Sequence, residues 1–109
     1  MTEPRFVVLW TGTAARDLEE LIAFIAADSP AHAQRVLARL RNRAAALEAH
    51  PARGRLVPEL ALFGFSVWRE SIVNPYRLIY RVEGDRVYVL AVLDGRRDLE
   101  DLLLGRLLR

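Results

Sequence analysis

Apolar and polar positions change rhythm several times along the chain, and each rhythm predicts an element. Arg5-Phe-Val-Val-Leu-Trp10 is a β-branched and aromatic run that Gly12 ends, which predicts a first strand. Leu18, Leu21, Ile22, Ile25 and Ala26 then recur at helical spacing, so they share one face of a helix that Thr13 can cap. Asp17, Glu19 and Glu20 fall in its first turns, where the helix dipole favours negative charge. Ser29-Pro30 restarts the chain with a capping hydroxyl and a proline suited to the first helical position. The second helix puts Ala33, Val36, Leu37, Leu40, Ala44 and Leu47 on one face and Arg35, Arg39 and Arg43 in a row on another, until His50-Pro51 ends it. The short link folds the two helices back as an antiparallel hairpin.

Residues 51–60, with two prolines and a glycine, read as an ordered loop. Phe65 to Val73 alternates as a strand, with Phe65, Val67, Arg69, Ser71 and Val73 on one face and Ser66, Trp68, Glu70 and Ile72 on the other. Val73-Asn-Pro-Tyr76 turns the chain, because proline has no N–H for a central ladder. Tyr76–Val82 and Val87–Leu93 form a hairpin around Glu83-Gly84-Asp85-Arg86, and the nearly unbroken apolar character of the second strand predicts a central, buried place. Leu99, Leu102, Leu103, Leu107 and Leu108 give 98–108 the stripe of a short amphipathic helix.

The order is β-α-α-β-β-β-α: an α+β fold in which a helical hairpin packs on one face of a small antiparallel sheet, closed by a short C-terminal helix. With 109 residues, one domain spans 1–109. If the terminal helix leaves the second sheet face bare, the apolar groove there calls for a partner.

Composition narrows the chemistry. No cysteine is present, which removes disulfides, thiol nucleophiles and thiolate metal sites, and no cofactor or metal is expected. No signal pattern or membrane-length apolar run is present, so the expected location is cytoplasmic, with no membrane partner. All sixteen basic residues are arginine, so any general base must be a carboxylate, histidine or tyrosine. Between Arg35 and Arg55 six arginines face Glu48 alone, a solvated surface or a contact for an acidic partner or nucleic acid.

Several local motifs, taken in order, resemble one family. They are Asp17-Leu-Glu-Glu20, Ser29-Pro-Ala-His-Ala33, His50-Pro-Ala-Arg-Gly-Arg55, Pro58-Glu59, Arg69-Glu70, Tyr76-Arg-Leu-Ile-Tyr-Arg81 and Gly95-Arg-Arg-Asp98. Their order and spacing resemble the RelE/ParE toxins of bacterial type II toxin–antitoxin systems over nearly the whole chain. The resemblance implies a toxin neutralised by a cognate antitoxin, ParD-like or RelB-like, whose amphipathic segment wraps the sheet and helices. It also implies one of two targets. ParE-like members poison DNA gyrase without hydrolytic chemistry of their own, whereas RelE-like members cut mRNA on the ribosome.

For the nuclease reading, the resemblance places Arg77 and Arg97 on the phosphate and Glu59 as the candidate base. The family's strand-lysine positions hold Trp68 and Glu70, and Asp94 stands where histidine is frequent. His32 and His50, read on the second helix, do not reach that site. The nuclease set is therefore incomplete, which favours the ParE-like reading, with no catalytic residues expected. Trp68, Arg69, Arg77, Arg81, Arg96, Arg97, Leu102 and Leu103 are the candidate partner-binding residues. A third reading is a module that has lost toxicity and only titrates an antitoxin. Each candidate also has a purely architectural role open to it. Arg77, Arg81 and Arg97 can pair with Glu70, Glu83 and Asp98 on the sheet surface, and Glu59 can pair with Arg55. Tyr76 and Tyr80 alternate onto one face as cross-strand packing, and Trp10 and Trp68 can anchor the core or a groove.

Overall fold

The computed structural model describes residues 5–62, 64 and 67–95. In chain order the elements are β1 (Val7–Trp10), α1 (Gly12–Asp28), α2 (Pro30–Ala45), β2 (Arg55–Leu56), α3 (Pro58–Ala61), β3 (Trp68–Val73), β4 (Tyr76–Glu83) and β5 (Arg86–Asp94). Two 3₁₀ turns, Ala46–Glu48 and Pro51–Arg53, lead from α2 to β2. The expected C-terminal helix over 98–108 lies outside the described residues.

The five strands form one sheet in the order β1-β5-β4-β3-β2, so the apolar β5 is flanked on both sides, as its composition implies. The pairs β2–β3, β3–β4 and β4–β5 are antiparallel, but β1 lies parallel to β5, which makes the sheet mixed rather than purely antiparallel. No tight turn joins β1 to β5, since the helical hairpin and three strands intervene, so parallel pairing costs nothing in connectivity.

Helix α1 starts earlier than the capping pattern suggested. Thr11, not Thr13, is its cap: Thr11 Oγ1 accepts from the Ala14 N–H at 3.1 Å. Thr11 is already fixed by β5, donating its own N–H to Val89 O at 3.0 Å, so the chain leaves the sheet and enters the helix at one residue. Gly12 consequently opens α1 instead of closing β1. At α2 the cap is as expected, with Ser29 Oγ accepting from the His32 N–H at 3.2 Å and Pro30 in the first turn. That helix stops at Ala45, and the following 3₁₀ turn still delivers Leu47 to the core. His50 lies beyond it in the left-handed region, at φ 54°.

The helical hairpin covers one sheet face. Ala14 and Leu18 of α1 and Val36, Leu40 and Ala44 of α2 are buried against Val73, Tyr76, Leu78, Tyr80, Val87, Val89 and Val92. Fully burying a side chain such as Leu40 stabilises by roughly 1.5–3 kcal/mol. Tyr76 and Tyr80 do share this face, and the Tyr80 hydroxyl donates to Pro51 O at 2.5 Å.

The opposite face is covered in part by a stretch that the sequence presents as loop. Residues 55–61 form β2 and α3, which bring Val57 and Leu60 over Ile79, Ala91 and Leu93 in a second buried cluster, with Trp68 packed against it. A β-bulge makes this possible. Ile79 pairs with Ala91 but Tyr80 pairs with Val89, so Leu90 is the extra residue in β5. Val87 and Val89 face the helical hairpin, whereas past the bulge Ala91 and Leu93 face α3.

Candidate functional site

The α3 face of the sheet carries the only buried charged side chains among the described residues, Glu70 and Arg77. Glu70 projects from β3 directly opposite Arg55 of β2, and Arg77 projects from β4 opposite Ile72, which sets it diagonal to Glu70. Burial of either charge alone would cost several kcal/mol in order of magnitude, so each needs partners. Arg77 Nε donates to Glu70 Oε2 at 3.0 Å, and Arg77 Nη2 also donates to that oxygen. Arg55 Nε and Nη2 donate to the other oxygen, Glu70 Oε1, at 3.1 and 2.9 Å. Glu70, 1% exposed, thus has both oxygens engaged by guanidinium groups.

Arg77 has a second carboxylate. From α3, Glu59 Oε2 accepts from Arg77 Nη1 at 2.7 Å and Glu59 Oε1 accepts from Arg77 Nη2 at 2.9 Å, a bidentate pair. Pro58 begins α3 and buried Leu60 anchors it, so Glu59 between them is held over Arg77. The pairing with Arg77, aided by Glu59's own backbone N–H and by the Arg55 charge, holds the Glu59 carboxyl below its ordinary value despite some desolvation. Glu59, followed by Glu70, correspondingly raises Arg77 above its already high value. The four side chains run Glu59–Arg77–Glu70–Arg55 and cancel in charge.

This arrangement corrects two sequence-based pairings. Glu59 pairs with Arg77 rather than with Arg55, because α3 crosses over β4's side chain while β2 delivers Arg55 to Glu70. The Arg77–Glu70 pair exists but is buried, not on the sheet surface. The other expected pair, Arg81 with Glu83, is present and exposed at 2.6 Å.

The remaining candidates are dispersed. Arg69 points to the helical-hairpin face beside Tyr80 and donates to Gly54 O at 2.6 Å. Trp68, Arg81 and Tyr88 stand opposite one another on β3, β4 and β5. Arg96, Arg97, Leu102 and Leu103 lie outside the described residues. The arginine row of α2 is partly engaged: Arg39 Nη2 donates to Asn74 O at 3.2 Å, and Arg43 Nη1 to Ile72 O at 2.9 Å. Sequence reasoning paired Arg77 with Glu70 but missed that Arg55 bonds Glu70 and that Glu70 and Arg77 are buried. The signal was present only as a charged residue at an inward position of β3 and of β4. Among the described residues, no cluster of three or more histidine, aspartate and glutamate side chains could hold a metal ion, and no helix is long and apolar enough to cross a membrane.

Comparison with known proteins agrees with this architecture. Residues 8–99 match the family described as the ParE toxin of the type II toxin–antitoxin system, parDE. Toxin RelE2 of Caulobacter vibrioides is 33% identical over 91 residues, which span 83% of this chain and 96% of that protein. The RelBE2 toxin–antitoxin complex of Mycobacterium tuberculosis contains a chain with 28% identity and a TM-score of 0.62, covering 85% of this chain and 94% of that one. The chromosomal ParDE system of P. aeruginosa contains another at 18% identity and a TM-score of 0.66, covering 84% of this chain and 98% of that one, a likeness of fold. The chain belongs to the ParE toxin family of type II toxin–antitoxin systems, within the RelE/ParE superfamily.

Proposed function

We propose that this toxin acts by binding DNA gyrase and arresting replication, and that a cognate antitoxin, ParD-like or RelB-like, neutralises it. The observation that carries the reading is the pairing of Glu59 with Arg77. Cleavage of RNA by attack of a 2′-oxygen needs a base with a free oxygen, and cations open to the phosphate. Here the candidate base and the candidate phosphate ligand bind each other. Glu59 has both oxygens on Arg77 and a lowered pKa, which makes it a weak base, and Arg77 is 8% exposed between two carboxylates. A toxin that works by surface contact needs neither group free. The antitoxin partner is supported by the family itself and by the RelBE2 complex, a toxin–antitoxin assembly.

The test is tightly induced expression in bacteria carrying a DNA-damage reporter, with pulse labelling of DNA and protein synthesis. Gyrase poisoning gives early reporter induction with DNA synthesis failing first. Rapid loss of protein synthesis with a silent reporter would instead mean mRNA cleavage on the ribosome. Unhindered growth would leave an antitoxin-binding module without toxicity.

A further inference from the structure

The described arginines differ in how their charge is met. Arg5, Arg55, Arg77 and Arg81 are each paired with a glutamate. Arg35, Arg39, Arg43 and Arg69 have no ion pair among the described residues, yet three of them are held in place. Arg39 Nη2 donates to Asn74 O, Arg43 Nη1 to Ile72 O and Ser71 Oγ, and Arg69 Nη1 to Gly54 O. Those acceptors are all uncharged, so each guanidinium keeps its full charge in a fixed position. Each is also held through one nitrogen, which leaves most of its donors for a ligand.

These four arginines lie along one line. Arg35, Arg39 and Arg43 recur every four residues on α2, a stripe roughly 12 Å long. Ser71, under Arg43, is two residues from Arg69 on the same face of β3, so the line continues by about 7 Å along the strand. Helix α2 holds no acidic residue, and Glu48 just beyond it is paired with Arg5. One turn away from the stripe the exposed residues are Ala31, His32, Ala38, Asn42 and Ala46, none of them large and apolar. The centre of a protein interface is rich in aromatic side chains and poor in charge, so this surface suits a polyanion better than a protein.

We propose that the line Arg35–Arg39–Arg43–Arg69 seats the phosphate backbone of duplex DNA, the DNA that gyrase holds while the toxin is bound to it. The inference rests on the gyrase reading above and adds a second contact, from toxin to DNA. Guanidinium groups about 6 Å apart along a rigid helix engage phosphates of one strand without reading its sequence. Arg41 shares α2 and its charge but lies toward the opposite edge of the sheet, in a cleft with Val8 and Trp10 of β1, so it stays off the DNA.

The test uses the purified whole chain with a short labelled duplex, and with gyrase acting on plasmid. Duplex binding, read by anisotropy, should weaken with salt at a slope of about −3 to −4 in log K against log salt, as expected for about four phosphates. Arg35→Gln, at an exposed position, should reduce that slope by about 0.9 and weaken binding about fivefold or more at low salt. Arg35→Gln with Arg39→Gln should need about tenfold or more toxin to accumulate cleaved plasmid on gyrase. Arg41→Gln should match the wild type in both assays. Unchanged slope and affinity in the single and double variants overturn the inference, and cleaved plasmid at the wild-type dose then leaves the gyrase reading standing. An equal loss in Arg41→Gln overturns it too, since net charge alone would account for binding. A wild type that yields no cleaved plasmid overturns both readings. Tighter binding to single-stranded RNA than to the duplex, lost in the same variants, would assign the line to RNA instead.

Discussion

Glu59 on a four-residue helix and Arg77 on a central strand are joined at two points, at 2.7 and 2.9 Å. The pair ties α3 to the sheet at the position where a nuclease would need both groups open. Replacing Glu59 by glutamine keeps the shape and removes the charge. We expect Glu59→Gln to lower stability by about 1–2 kcal/mol, because a charge-assisted pair on a partly exposed carboxylate is lost. Growth arrest should remain largely intact. Loss of toxicity at an undiminished level of folded protein would favour RNA cleavage.

The same residue sets an acid limit. Folding lowers the Glu59 pKa below its ordinary 4.5, so on acidification the unfolded chain takes up the proton first. The stability Glu59 contributes is complete above that ordinary value and is lost as pH falls through the lower folded one. Urea midpoints measured from about pH 6 down to pH 3 should fall more steeply for the wild type than for Glu59→Gln. Parallel curves would show that the pair contributes nothing.

Glu70 should be the more sensitive carboxylate. It is fully enclosed and serves two guanidinium groups, so Glu70→Ala leaves Arg77 buried with half its partners. A cost of about 3–5 kcal/mol is expected from urea denaturation. A change below ~1 kcal/mol would mean that water readily replaces the carboxylate.

Gly54 is held by sterics. A Cβ there would lie 1.9 Å from the Tyr80 hydroxyl oxygen and 2.8 Å from its Cζ, so Gly54→Ala must displace a fully buried ring. A loss of at least about 1–3 kcal/mol is expected. Tyr80→Phe should cost about 1 kcal/mol for its bond to Pro51 and rescue Gly54→Ala only in part, since the ring carbon still collides.

Removing the arginines that close the β3 edge should change association more than stability. Arg39→Ala with Arg43→Ala uncovers Ile72 O on β3, beyond the reach of β2, and Asn74 O in the turn that follows. Sedimentation should show larger species in the double variant and a single species in the wild type.

What could be read from the sequence was what local spacing controls. The helical hairpin follows from apolar positions every three or four residues. The Ser29-Pro30 cap is a short-range pattern, and the central place of β5 follows from its unbroken apolar run. Thr11 was passed over as the α1 cap because its role depends on a bond to Val89, far along the chain. β2 and α3 are too short to carry a period, so residues 51–60 looked like a loop. The Glu59–Arg77 pair depends on α3 crossing the sheet, which no spacing within either segment records. Asp17 was assigned to the helix dipole. Its Oδ2 instead accepts from the Val92 N–H at 3.0 Å, past the end of β1.

The bulge at Leu90 makes β5 a wall shared by two rooms. Val87, Val89 and Val92 line the cluster under the helical hairpin, and Ala91 and Leu93 line the one under α3. Neither room has a complete set of walls without that strand. Loosening α3 must therefore be felt beneath the helices, and the two clusters should lose their protection from solvent exchange together, as one cooperative unit.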